Sequence, residues 1–337
     1  MTLIAMTPPA MTPVVKASFR RLLIAGLAGL SVCAAPALAN WPERPIRLIV
    51  PFAPGGNVDL TARTLSPGLT ESLGRNVIID NRAGAGGALG AEIAANAQAD
   101  GYTLLFSSTG SLTIAPAVSK KLRYDPVRDF SAISLASNVP VIMLVPLSSP
   151  AKSVKEFIPY AKSRGELTMA SSGNFATGRM AGELFQGITG TRFTHVPYKG
   201  GSPAMLDLIA GRVDVMFDQI SSAMSHVKAG KVRALAVNAF NRSPQLPEVP
   251  TTKEAGVAGV EAGTFTAMLA PAKTPAAVVR RLNEDMNKVM RTAPVQQAFA
   301  RYSAEMIGTT PEASQAFIKA EIEKWRRVVK TANIKTE

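Results

Sequence analysis

Apolar and polar positions alternate along this chain in two rhythms. From residue 46 onward, short apolar runs such as Ile46-Arg47-Leu48-Ile49-Val50 give way to longer stretches with apolar residues every three or four positions. A short apolar run between turn residues predicts a strand, and the longer spacing predicts an amphipathic helix. Strands are therefore expected at 46–50, 77–79 and 102–106, with helices at 59–73 (ended by Gly74) and 88–97. Strand and helix alternating in this order signal an open parallel sheet. The pattern then restarts with a strand at 141–145. Ser153-Val154-Lys155-Glu156 is a capping box that opens a helix to about residue 163. Strands follow at 167–170, 194–196, 213–217 and 232–237, separated by helices at 178–188, 203–210 and 221–229. This second run can hold a core of its own.

After Pro250 the pattern changes again. Residues 265–270 read as one more strand, and Thr274-Pro275 and Thr310-Pro311 each pair an N-cap with a first-turn proline. The first helix puts Leu282, Met286, Val289 and Met290 on one face, and the second does the same with Ile318, Ile322, Trp325 and Val329. No third sheet is available to receive these faces. The chain is therefore expected to cross back, so that residues 40–139 and 261–337 form lobe 1 and residues 140–260 form lobe 2. The linkers would fall near 137–140 and 259–263, and two crossovers make a hinge. The expected fold is α/β and two-lobed, each lobe a mostly parallel sheet flanked by helices.

The segment before residue 40 has a different character. Lys16, Arg20 and Arg21 precede an apolar stretch at 22–32, which is too short to span a bilayer, and Ala37-Leu38-Ala39 follows with small residues at the ends. This is the layout of a cleaved export signal, with cleavage after Ala39 and a periplasmic mature chain from Asn40. Met11 is an alternative start. The residues flanking Arg20-Arg21 fit ordinary Sec export better than a twin-arginine signal. Cys33, the only cysteine, lies inside this segment, and Val32 before it is too bulky for a lipoprotein signal. The mature chain then offers no disulfide, thiolate nucleophile or cysteine metal ligand.

Lysine and arginine total 37 against 24 acidic residues. The basic residues are scattered and are not interleaved with aromatics, which argues against nucleic acid and for a diffuse field that attracts anions. Hydrophobic residues make up 47% of the chain, enough for full cores.

Ligands of open parallel sheets bind at the carboxyl ends of strands. Five polar loops are expected on that edge: 51–59, 107–111, 171–174, 197–202 and 218–219. They are rich in glycine and hydroxyl residues, and several run directly into a helix. Free N–H groups at a helix start bind an anion without any charged side chain. Two such sets facing across a cleft suit a small carboxylate. Glycine-rich turns also occur in every α/β fold. Asp59 reads more readily as a helix cap than as a catalytic acid, while Asp218, at a strand end, reads equally as a ligand contact or a structural carboxylate. Lys199 reads as a carboxylate partner or a solvated lysine.

Other chemistry is poorly supported. Gly84-Ala85-Gly86-Gly87-Ala88-Leu89-Gly90 has Leu89 where a dinucleotide loop needs its third glycine, and it follows the wrong strand. There is no phosphate-binding P-loop and no G-x-S-x-G nucleophile elbow. His195 and His226 are the only histidines, too few for a typical zinc site. No metal, cofactor or enzymatic activity is expected, because no nucleophile–base pair is recognisable.

The loops carry a resemblance. Trp41-Pro42, Val50-Pro51-Phe52-Ala53-Pro54-Gly55-Gly56 with Asp59, Asn81-Arg82-Ala83-Gly84-Ala85-Gly86-Gly87, His195-Val196-Pro197-Tyr198-Lys199-Gly200 and Gly211-Arg212-Val213-Asp214-Val215-Met216-Phe217-Asp218 resemble the Bug (TctC-type) solute receptors. The likeness runs in order from Trp41 onward. It implies a periplasmic flytrap serving tripartite tricarboxylate transport, with small carboxylates as ligands and membrane transporter subunits, or alternatively a sensor kinase, as partners. A monomer is expected. Carried over, the family's binding loops imply a site at Pro54, Gly55, Gly56, Asn57 and Asp59; Ser107, Ser108, Thr109 and Gly110; Ser171, Gly173, Asn174, Phe175, Ala176, Thr177 and Arg179; Gly200, Gly201 and Ser202; and Asp218. One stretch departs. The family typically reads Ser-x-Gly-Asn-Gly-Ser-x-x-His, whereas Phe175, Ala176 and Arg179 stand in the last three defined positions. Phe175 either walls the pocket and favours a flat ligand or points away. Arg179 either adds a cation or points away.

Overall fold

A computed structural model describes residues 41–331. The expected signal segment, Cys33, the cleavage point and the last six residues lie outside the described residues. Among those described, ten strands form one sheet: eight run in the order β2-β1-β3-β9-β4-β7-β5-β6, and β8 and β10 pair with β4 off this path.

In lobe 1, β1 (Ile46–Val50) lies between β2 (Val77–Asn81) and β3 (Thr103–Ser108), and both pairs are parallel. The connecting helices are α1 (Asn57–Leu73) and α2 (Ala88–Ala95). Gly74 ends α1 in the left-handed conformation, as the sequence predicts. In lobe 2, β5 (Leu167–Ser171) pairs in parallel with β6 (Phe193–Pro197) and β7 (Val215–Gln219). A π turn, Gly110–Ile114, leads into the short α3 (Ala115–Val118) after β3. In lobe 2 the helices are α4 (Val154–Arg164), α5 (Thr177–Thr189), α6 (Gly201–Ile209) and α7 (Ile220–Lys228), and β8 (Val232–Asn238) follows α7.

The crossover differs from the expected linker. β4 is one 17-residue strand, Phe130–Pro146, that runs through both lobes. Up to Pro140 it pairs antiparallel with β9 (Gly263–Pro271), and from Val141 it pairs with β7 and β8 instead. Pro140 stands where the ladder changes partner, a position that tolerates a residue without an N–H. The strand was only partly legible because Ser131, Ser134 and Ser137 interrupt its apolar run. Ser134 and Ser137 are nonetheless buried, satisfied by side-chain hydrogen bonds: Ser137 bonds Thr266 Oγ1 at 2.8 Å and Ser134 donates to Thr309 O at 3.2 Å. The parallel cores of both lobes match the sequence reading, and the antiparallel strands β4 and β9 join them.

The C-terminal helices α8 (Ala276–Met290), α9 (Ala293–Arg301) and α10 (Pro311–Thr331) flank lobe 1, with the two-residue β10 (Glu305–Met306) between the last two. The apolar faces predicted on α8 and α10 are buried. Ile318 and Ile322 join the cluster that holds Ile49, Leu105 and Leu269 under the lobe 1 sheet. α9 and β10 were not anticipated. In lobe 2 one cluster around Phe157, Phe185 and Phe217 covers one sheet face, and another around Leu144, Met205 and Met216 covers the other. A half-covered sheet would expose its core, so covering both faces with helices is the stable arrangement.

Candidate functional site

The polar loops meet between the lobes. Their residues enclose a cavity of about 20 Å³, room for about one water molecule. It is lined by Phe52, Gly56, Asn57 and Val58 from the β1–α1 loop, Ser108 and Gly110 after β3, Ser172, Ala176 and Thr177 before α5, Gly201 at the start of α6, Gln219 after β7, and Thr264 in β9. None of these side chains carries a charge.

Four helices begin at this cavity: α1, α5, α6 and α7. Their N-caps are Gly56, Ala176, Gly200 and Gln219, and none is capped by a side chain. α4, which contributes nothing to the cavity, is capped conventionally: Ser153 Oγ accepts from Glu156 N at 3.2 Å. First-turn N–H groups have no partner inside their own helix and carry the positive end of its dipole. The cavity therefore combines four positive helix ends with neutral walls.

Two buried side chains add unsatisfied polar atoms. Asn57 Oδ1 accepts from Ser221 Oγ of lobe 2 at 2.7 Å, and among the described residues Asn57 Nδ2 has no partner. Thr177 Oγ1 also lacks one, and Thr177 is 2% exposed. A buried donor without an acceptor is costly in a native fold, which makes such atoms markers of function.

The two acids near the cavity differ. Asp59 accepts from Gly55 N at 2.8 Å, Arg63 Nε at 2.9 Å and Asn81 Nδ2 at 2.9 Å. Burial pushes its carboxyl up, but these donors and the Arg63 charge outweigh that and hold it below its ordinary value. It fixes the β1–α1 turn. Asp218 lies against Gly201, accepts from Ser222 Oγ at 2.8 Å through Oδ2, and has no partner on Oδ1 among the described residues. Burial pushes it up to about 6 against the pull of Ser222 and the Gln219 N–H.

The lobes touch directly. Ser202 Oγ donates to Pro54 O at 2.8 Å, Ala53 N donates to Lys199 O at 3.1 Å, and Gln219 Nε2 donates to Thr264 Oγ1 at 3.0 Å. Gly200 has φ +154, and a β-carbon there would come within 2.9 Å of Ala53 Cβ, so this position requires glycine twice over.

Of the residues expected at the site, Gly56, Asn57, Ser108, Gly110, Ala176, Thr177 and Gly201 line the cavity. Pro54, Gly55, Gly200 and Ser202 form the seam beside it. Asp59, Ser107, Thr109, Ser171, Gly173, Asn174 and Asp218 stand behind the lining. Thr109 Oγ1 accepts from Phe265 N at 2.9 Å, which ties the β3 loop to β9. Arg179 turns into its own lobe, where Nη1 donates to Asn174 O at 2.9 Å and Nε lies 3.6 Å from Glu183 Oε1. Phe175 projects into lobe 1. Lys199 is exposed. Gln219 and Ser172 lie in loops that the sequence singled out, whereas Thr264 sits at the start of β9 and carried no signal.

A serine–histidine pair that sequence reading missed lies under the α5 loop, with Ser171 Oγ and His195 Nε2 2.7 Å apart. Ser171 Oγ also donates its only proton to Gly173 O at 2.9 Å. The imidazole is then the donor and the serine the acceptor, the reverse of nucleophile activation. Burial, with the Arg179 charge, holds His195 at about 4, so it is neutral at pH 7. Among the described residues no group of three or more acidic, histidine or cysteine side chains is arranged to hold a metal, and no helix is long and apolar enough to cross a membrane.

The sequence model of the tripartite tricarboxylate transporter family receptor (TctC) matches residues 61–334. This chain belongs to that family. A UPF0065 protein encoded between tcbD and tcbE in Pseudomonas sp. strain P51 is 39% identical, over 92% of this chain and 94% of its own length. The periplasmic binding protein BugD superposes on the receptor with a TM-score of 0.85 at 34% identity, covering 88% of this chain and all of its own. Rpa4515 of R. palustris, solved with adipate, gives 0.84 at 36% identity over 87% and 98% of the two chains. MatC from Rhodopseudomonas palustris, with bound malate, gives 0.82 at 33% over 86% and 100%. The receptor is thus a periplasmic solute-binding protein of a family that works with membrane transporters, and its two-lobed α/β fold is that of its relatives.

Proposed function

We propose that this receptor captures a small organic carboxylate in the interlobe cavity and presents it to a tripartite transporter. The observation that carries this reading is the meeting of four uncapped helix starts with Asn57 Nδ2 and Thr177 Oγ1 around one uncharged cavity. An anion placed there gains donors from both lobes at once, which favours the closed shape over the open one. The β4 and β9 crossings supply the hinge, with lobe boundaries at 40–139 and 261–337 for lobe 1 and 140–260 for lobe 2. A cavity of about 20 Å³ is far below the several hundred typical of ligand sites, so the lobes part to admit a solute and close less tightly around it. Export with cleavage after Ala39 delivers a monomer, and the receptor binds its solute without transforming it. The inverted Ser171–His195 hydrogen bond supports that last point.

The test is a thermal-shift panel on the chain from Asn40 onward, after denaturation and refolding to strip any solute. Adipate, malate and other small carboxylates are compared with their amides. A ligand at about 1,000 times its Kd adds about 4 kcal/mol of stability. A carboxylate that raises Tm where its amide does not supports the reading. Stripped protein that ignores every carboxylate overturns it.

A further inference from the structure

Phe175 leaves its own lobe. It lies in the loop between β5 and α5, yet most of the apolar residues packed around it belong to lobe 1: Ile114, Ala115, Val118, Trp325 and Val329. It is 5% exposed. The glycine loop at 84–87, which has no place in a dinucleotide site, forms the rim of this socket. A β-carbon on Gly86 would fall 2.9 Å from Phe175 Cδ2, and one on Gly110 would fall 2.8 Å from the Phe175 carbonyl oxygen. Gly173, beside Phe175 in the loop, brings its backbone equally close: its β-carbon would lie 2.8 Å from Gly86 Cα. Glycine at 86 and 173 lets the two backbones meet beside the ring.

We propose that Phe175 is an interlobe latch: a lobe 2 aromatic ring that docks in a lobe 1 socket and holds the receptor closed independently of any solute. Apart from Met180 of α5, which joins the same cluster, the other cross-cleft contacts described are hydrogen bonds such as Ser202 to Pro54 and Ser221 to Asn57, which exchange for bonds to water when the lobes part and change the balance little. The ring has no such exchange. Opening returns its apolar surface, and that of the cluster it joins, Trp325 included, to water. The latch therefore sets how much receptor is closed before a ligand arrives, and through that population the apparent affinity.

The test uses the chain from Asn40 onward, stripped of solute by refolding, with spin labels on Ile78→Cys in lobe 1 and Leu147→Cys in lobe 2. Both positions are exposed, at 53% and 51%, and the single native cysteine, Cys33, precedes this chain. Interlobe distances are measured by double electron–electron resonance. Wild type is expected to populate mainly the short, closed distance. Phe175→Ala should lower the ratio of closed to open at least about tenfold, with Phe175→Leu in between. Acrylamide quenching of Trp325 should rise in the same order. If folded Phe175→Ala keeps the wild-type distances and quenching, the latch is wrong. Should Phe175→Ala melt too low to measure, Phe175→Leu decides on the same two readouts. Because no ligand is present, failure here leaves the carboxylate reading intact, and failure of that reading leaves the latch intact.

Discussion

Asp59 and Asp218 are buried to the same degree, 2% and 1% exposed, on opposite sides of the cleft. They hold their protons in opposite ways. Asp59 meets Gly55, Arg63 and Asn81, and is held below its ordinary value near 3.8. Asp218 has Ser222 and one backbone N–H and keeps a bare oxygen, so burial wins and pushes it up to about 6. Burial alone does not set the state of an acid; the number of donors aimed at it decides. Lobe 1 uses its carboxylate as a fixed anion that shapes a turn. Lobe 2 keeps one that protonates within the range of mildly acidic surroundings.

The largest expected effect comes from breaking the lobe 1 side. Asp59→Ala leaves Gly55 N without its acceptor, takes one of two from Asn81 Nδ2, frees the half-exposed Arg63, and should cost about 3 kcal/mol in guanidinium unfolding at pH 7. Wild type draws stability from Asp59 above the unfolded value near 3.8 and loses it as pH falls through the lower folded value. A variant within about 0.5 kcal/mol of wild type would show that the three hydrogen bonds do not hold the turn.

The lobe 2 acid runs the other way. Its folded value lies above its unfolded one, so the native state binds the proton more tightly and stability falls as pH rises from about 4 to about 6. Asp218→Asn should flatten that stretch of the stability–pH curve and gain roughly 2 kcal/mol at pH 7. An unchanged slope between those two pH values would mean that Asp218 stays ionised when buried.

A smaller effect separates binding from folding. Thr177→Val removes a hydroxyl that has no partner, so stability should hold or rise. Affinity for the identified carboxylate should fall about tenfold by calorimetry, the worth of one hydrogen bond to a charged group. Equal affinity would remove Thr177 from the site. The smallest effect is the control: Ser153→Ala removes the cap of α4 and should cost about 1 kcal/mol in stability, with ligand affinity unchanged.

The contrast between α4 and the cleft helices also shows what could be read in advance. The Ser153 cap was visible because it uses side chains close in sequence. So were the parallel cores, whose apolar runs are bounded by turns, and the buried faces of α8 and α10. The long strand β4 was half hidden because its buried serines look polar until their partners on β9 and at Thr309 are in place. The cavity was found at the level of loops rather than residues. Seven expected residues line it, but Thr264 reaches it from β9, and Arg179 turns away to Asn174 and Glu183.

By itself the sequence determined the local part of this receptor: which segments are strands and helices, which faces are apolar, and where Ser153 caps a helix. These depend on residues within a few positions of each other. The tertiary structure alone decided which atoms are left without partners. Whether Asp218 keeps a bare oxygen, whether Thr177 finds an acceptor, and whether Phe175 buries in its own lobe or the other depend on groups far apart in the chain. Folding brings those groups to within an ångström or two of the distance at which a hydrogen bond or a packing contact is made or lost.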